Sequence, residues 1–138
     1  TINDVVPYQF KLPAAPYVAK ENTIIDIEFL KEKKKYLEQF CDLLIIEGAG
    51  GLMVPIEKDL FIIDLIKIFE ASAILIAPSK LGCINDTILS VNVLKEKNID
   101  FELFINLYQD IESFEKVSKP FLIDYFKKLN FLEDLENL

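Results

Sequence analysis

Ala73-Ile-Leu-Ile-Ala77 is an unbroken apolar run stopped by Pro78, and Phe101-Glu-Leu-Phe-Ile105, apolar but for Glu102, is a second strand pattern. Between them Ile84, Ile88, Val91 and Leu94 recur at helical spacing, which predicts a helix over about 84–97. Apolar runs this short suit strands covered on both faces, as in parallel sheets. A strand, a helix and a strand joined by short connections form a right-handed crossover unit. Upstream, Leu43-Leu-Ile-Ile46 is a third strand pattern, ended by Glu47, and residues 59–70 carry helical spacing through Leu60, Ile63 and Ile66. The expected fold class is therefore α/β, a doubly wound and mainly parallel sheet with helices on both faces, in a single domain over 1–138.

The flanks are less regular. Residues 5–10 read as a short extended segment leading into the loop Pro13-Ala-Ala-Pro16. Asp26 is placed to cap a helix running to about Phe40, with Ile27, Leu30, Leu37 and Cys41 on one side and Lys31, Lys33, Lys34 and Lys35 mainly outside. Residues 112–129 predict a helix interrupted at Pro120, and the acidic tail is weakly patterned.

Composition removes whole classes of chemistry. The chain of 138 residues is 51% hydrophobic, enough for a core. It has no His, so Ser-His-Asp or Cys-His catalysis and imidazole-bound metals are excluded. All 15 cations are Lys, so no arginine clamp is available. The net charge of −8 argues against nucleic-acid or anionic-membrane binding. No apolar run approaches the roughly 20 residues of a membrane span, and the start lacks a signal-peptide pattern. Cys41 and Cys83 read as two reduced thiols of a cytoplasmic protein.

Glycine marks two places. There are only 4, and three of them (Gly48, Gly50, Gly51) lie in Glu47-Gly-Ala-Gly-Gly51; the fourth is Gly82. An acidic residue at the carboxyl end of an apolar strand is similar to the Mg²⁺-binding position of P-loop NTPases. The glycines after it let backbone amides approach an anion, although a tight turn would itself need one glycine. The second place is Ser79-Lys-Leu-Gly-Cys-Ile-Asn85-Asp-Thr87, where a helix begins after Gly82. Its free N–H groups suit a carboxylate or phosphate; an ordinary strand-to-helix loop capped by Asn85 or Asp86 is the alternative. Cys83 has no nearby base to make it a nucleophile. Asn106 ends a strand with a side-chain amide suited to a purine edge or to capping a loop. The G-x-x-x-x-G-K-[ST] phosphate loop occurs nowhere in the chain.

Val6-Pro-Tyr-Gln-Phe10 with Ala14-Ala-Pro16, Leu44-Ile-Ile-Glu-Gly-Ala-Gly-Gly-Leu-Met-Val-Pro55, Lys80-Leu-Gly-Cys-Ile-Asn85 and Ile105-Asn106 follow one another in this order. They resemble consecutive blocks of the dethiobiotin synthetase family, from the start of the chain to about residue 107. The resemblance implies a P-loop NTPase-like fold, incomplete at the N-terminus, of which this chain is the C-terminal two-thirds. The phosphate loop, a substrate-binding Lys and a second Mg²⁺-binding Asp are expected upstream of residue 1, so the fragment alone is expected to be inactive and to hold no catalytic residue of its own.

The family uses ATP, Mg²⁺ and CO₂ to close the ureido ring of dethiobiotin from 7,8-diaminopelargonate, a step of biotin synthesis. An amine becomes a carbamate, ATP phosphorylates it, and the second amine attacks the mixed anhydride. Carried over by position, the resemblance assigns Glu47, Gly48, Ala49, Gly50, Asn106 and Leu107 to the nucleotide, and Glu47 to Mg²⁺. It assigns Ala15, Pro16, Gly51, Leu81, Gly82, Cys83, Ile84 and Asn85 to the substrate, with the amides of Gly82–Asn85 holding its carboxylate across a homodimer interface.

Three departures are visible. Ala15-Pro16 stands where many members have Ser-Pro; Lys119-Pro120 is a poor substitute for the later G-x-x-P base-binding segment; and the phosphate loop is absent. Two other readings remain at this point: a related P-loop amidoligase of the cobyrinate-synthase type, and a noncatalytic dethiobiotin-synthetase-like module serving regulation or dimerisation.

Overall fold

The computed structural model describes residues 1–137. The chain divides into two compact units, Thr1–Ala71 and a second that begins at Ser72.

In the first unit, α1 (Ile2–Val5), α2 (Pro16–Ala19) and α3 (Ile27–Leu37) precede a hairpin of β1 (Pro55–Glu57) and β2 (Leu60–Phe61), followed by α4 (Ile62–Ile68). The Asp26 cap is present: its Oδ1 accepts from the N–H groups of Glu28 at 2.9 Å and Phe29 at 3.3 Å. Such a cap satisfies donors that the first helical turn leaves open. Helix α3 passes into a 3₁₀ turn at Glu38–Phe40, as the predicted end near Phe40 requires. Lys33 on α3 meets Asp4 on α1 at 2.7 Å. That ammonium holds the Asp4 carboxyl well below the usual carboxylate range. Around β1, Ala19, Ile56, Ile63 and Phe69 are buried, and Lys20 reaches Glu57 at 2.8 Å.

Three expectations change here. Leu43–Ile46 forms no strand; Leu43 and Ile45 are 77% and 83% exposed. A four-residue apolar run becomes a strand only through ladder bonds to a neighbour, and none of the described strands pairs with it. Of the extended segment expected over 5–10, Val5 closes the α1 turn instead, and residues 6–10 lie outside helix and strand. The helix expected over 59–70 starts later, at Ile62, because Leu60 and Phe61 are taken into the antiparallel pairing with Glu57 and Pro55.

The second unit opens with the crossover read from sequence: β3 (Ala73–Pro78), α5 (Cys83–Glu96) and β4 (Phe101–Asn106). The strands pair in parallel from Ala73↔Phe101 to Pro78↔Asn106. The chain continues through α6 (Ile111–Ser113), a π-helical turn (Phe114–Ser118) and α7 (Lys119–Phe126) to β5 (Asn130–Phe131). β5 adds to β4 in parallel, giving the order β3-β4-β5, so the α/β class with a parallel sheet is observed. Ala77, Cys83, Ile105, Phe114 and Leu122 form its core cluster.

Cover on both faces is not observed for β3: Ala77 is buried, but Ile74 and Ile76 on the opposite face are 60% and 52% exposed. Pro120 does not interrupt the helix. It is the second residue of α7, where a missing N–H is tolerated, and the irregularity lies upstream in the π turn.

Candidate functional site

The carboxyl edge of the second unit carries half of the predicted ligand residues, and the first unit carries the other half. β3 ends at Pro78, and Ser79–Gly82 lead into α5 with Gly82 as its N-cap at φ 92°. That left-handed conformation favours glycine over any residue with a Cβ. No side chain caps this helix. The Cys83 N–H donates to the Lys80 carbonyl at 3.1 Å, and the Asp86 N–H donates to the Gly82 carbonyl at 3.3 Å. The N–H groups of Ile84 and Asn85, in between, have no intrahelical acceptor, because the first turn of a helix has none to offer. Together with the helix dipole they make a donor pair suited to a small anion.

Around this pair the predicted residues separate by role. The Cys83 side chain is buried in the core cluster, so this residue offers the site only its backbone. The Asn85 side chain is exposed and its amide donates to Asp86 Oδ1 at 3.2 Å. Leu81 is 79% exposed. On the next strand Asn106 is the last residue of the ladder, opposite Pro78, and Leu107 packs against the core cluster. The two loops are joined by a residue to which the sequence alone assigns no role. The buried Ser79 donates its hydroxyl proton to the Gln109 carbonyl and accepts from the Gln109 N–H at 3.3 Å. The legible signal is a lone hydroxyl directly after an apolar strand. Thr87, one turn into α5, is also buried, and its Oγ1 has no hydrogen-bond partner.

In the first unit Glu47–Gly51 are exposed and contiguous. Gly48 is fixed by packing: a Cβ there would sit 2.6 Å from Ile62 Cγ2. Gly50 has φ 90° and sits against Val54. Its N–H donates to the Gly48 carbonyl at 3.0 Å, and the Val54 N–H donates to Gly51 at 3.0 Å. Beyond these turns the loop lies on the start of α4. The Ile62 N–H donates to Val54 at 3.0 Å, the Ile63 N–H to Leu52 at 2.9 Å, and the Phe61 N–H to Asp64 Oδ2 at 2.9 Å. The first donors of α4 are thus occupied within the protein. Gly51 differs from its neighbours, with nothing within 4 Å of its Cβ position and no left-handed φ. Ala15 is the N-cap of α2 and Pro16 its first residue; the Ala15 carbonyl accepts from Val18 and Ala19, both at 2.9 Å.

Other places offer less. Among the described residues no group of three or more His, Cys, Asp or Glu converges as a metal cluster. Cys41 and Cys83 are both free thiols. An open depression of about 570 Å³ lined by Asp110, Ile111, Glu112, Ser113, Lys116 and Val117 contains none of the predicted residues. No described helix is long and apolar enough to cross a membrane.

A family model described as an AAA domain matches residues 1–137. The ATP-dependent dethiobiotin synthetase of Methanocaldococcus jannaschii is 35% identical over 94% of this chain and 67% of its own length. The chain belongs to the dethiobiotin synthetase family. The enzyme of the same name from Sulfurovum sp. (strain NBC37-1) is 52% identical over 86% of this chain, and that from Wolinella succinogenes is 35% identical over 100% of it. The chain spans 56% and 66% of the length of these two relatives. Membership in this family agrees with the α/β fold and with the order of the sequence blocks that suggested it.

Proposed function

We propose that this chain is the substrate- and metal-bearing part of an ATP-dependent dethiobiotin synthetase, acting in biotin synthesis on 7,8-diaminopelargonate, CO₂ and ATP. The observation that carries the reading is the start of α5. Gly82 in the left-handed region and the uncapped Ile84 and Asn85 N–H groups lie at the carboxyl edge of a parallel sheet, where α/β proteins bind ligands. A carboxylate fits two backbone donors at a helix N-terminus, and diaminopelargonate carries one. Asn106, the last residue of β4, and Leu107, the first after it, are the residues for the nucleotide base.

Glu47 is the residue for Mg²⁺. It is an exposed carboxylate beside a glycine loop. Mg²⁺ in nucleotide sites commonly takes one or two carboxylates and completes its octahedron with phosphate oxygens and water, so a single Glu suffices from this segment. Bound there, the ion would neutralise phosphate charge; Gly51, which the fold itself does not require to be glycine, leaves room for a ligand group. Neither segment supplies the phosphate cradle, so phosphoryl transfer requires a phosphate loop beyond these 138 residues, and the chain by itself is inactive. Leu81 and Leu89 leave large apolar side chains in water near the α5 start and along the helix. A second copy covering them makes the substrate site part of a homodimer. The reading places the protein in the cytoplasm, with no nucleic-acid or membrane partner.

Calorimetric titration with 7,8-diaminopelargonate tests the site. Binding to the unmodified chain and a loss of at least about tenfold in Gly82→Val, equivalent to ~1.4 kcal/mol, are expected. Equal binding by the variant would remove the helix-start assignment. A noncatalytic module would share this edge, and would differ in giving no ATP-dependent dethiobiotin when a phosphate-loop segment is supplied.

A further inference from the structure

The parallel ladder of β3 and β4 ends at Pro78↔Asn106, and Pro78 has no N–H to contribute at this point. The chains do not separate there. Ser79, 1% exposed, uses its hydroxyl as donor to the Gln109 carbonyl and as acceptor from the Gln109 N–H. A serine hydroxyl is one of the few groups that can do both at once. Gln109 is three residues beyond Asn106, and Ser79 is three residues before Gly82. A single side chain therefore spans the loop proposed for the nucleotide base and the loop proposed for the substrate carboxylate.

We propose that Ser79 is a positioning residue that couples these loops, so that a nucleotide ordering Asn106–Gln109 also orders Lys80–Asn85 for the carboxylate. The assignment of ligands rests on the function proposed above; the mechanical link does not. Gln109 is exposed, so water can take the place of the hydroxyl if Ser79 is truncated. Alanine also leaves no stranded polar atom of its own. Truncation should therefore release the loops without unfolding the sheet. Coupling of two bound ligands is reciprocal: carboxylate binding should tighten nucleotide binding by the same factor.

Amide exchange and titration, read on the chain and on Ser79→Ala and Ser79→Thr, decide the matter. In Ser79→Ala the amides of Lys80–Asn85 and of Leu107–Asp110 should exchange about tenfold faster, while Val91–Leu94 in α5 stay as protected as before. Ser79→Thr, which keeps the hydroxyl, should restore both loops. Faster exchange in only one loop would overturn the link. If Ser79→Ala does not fold, Ser79→Cys, a weaker donor, carries the same expectation at smaller size. In titrations of the chain supplied with a phosphate-loop segment, ATP should tighten 7,8-diaminopelargonate about fivefold or more. Ser79→Ala should bind each ligand alone but lose that factor. Equal factors in both proteins would overturn the coupling. Binding of neither ligand would instead overturn the function proposed above, and the exchange result would still decide the link.

Discussion

The glycine loop of the first unit and the helix start of the other unit share a glycine-marked sequence, and they use glycine differently. In Gly48–Gly51 one glycine makes room for Ile62 and another takes a left-handed turn, while the Leu52 and Val54 carbonyls that follow occupy the N–H groups of Ile63 and Ile62 at the start of α4. At Gly82 the left-handed turn leads into a helix whose second and third N–H groups have no acceptor within the helix. The lesson is that glycine density does not measure how many helix-start donors the fold leaves open. What distinguishes a ligand loop is which donors remain after the fold has satisfied its own.

Substitutions can break this comparison. Gly48→Val should have the largest effect on stability, about 1–3 kcal/mol by chemical denaturation, since its Cβ meets a branched side chain held in the first turn of α4. Gly82→Val should cost about 1–2 kcal/mol through its left-handed φ, with nothing near its Cβ to clash. Its signature is the loss of diaminopelargonate binding alongside. Gly51→Ala should change stability by no more than about 0.5 kcal/mol, or raise it slightly by restricting the unfolded chain. If Gly51 makes room for a ligand, that silent variant should still weaken binding; unchanged affinity would separate Gly51 from the site.

The smallest effect is a pH dependence away from both loops. The Asp4 carboxyl is held below its ordinary 3.8, so its pairing with Lys33 contributes stability above that value and is lost as the pH falls through the lowered folded pKa. Asp4→Asn should flatten the acid limb of the melting temperature between neutral pH and strongly acidic solution, leaving the glycine loops unaffected.

Local and strongly periodic features were legible in the sequence. Asp26 announced its cap, and the alternation of apolar runs with helical spacing announced β3, α5 and β4 almost to the residue. What escaped depended on distant partners. Leu43–Ile46 has strand composition but no ladder among the described residues. Leu60-Phe61 continue a helical pattern, yet pair with β1. Asn130-Phe131 sit in a stretch without pattern and become a strand because β4 offers them an edge. The site divides the same way. The motif marks the helix start at Gly82, which the structure shows as the left-handed N-cap of α5, whereas the bond from Ser79 to Gln109 joins residues far apart in the chain. Nothing in composition distinguishes Gly51 from Gly48.

The most direct test is amide chemical-shift mapping with 7,8-diaminopelargonate. The account predicts that the Ile84 and Asn85 N–H signals move downfield as they take up a carboxylate, while those of Ile62 and Ile63, already bonded within the protein, stay in place. Movement at Ile62 and Ile63 with Ile84 and Asn85 silent would contradict it.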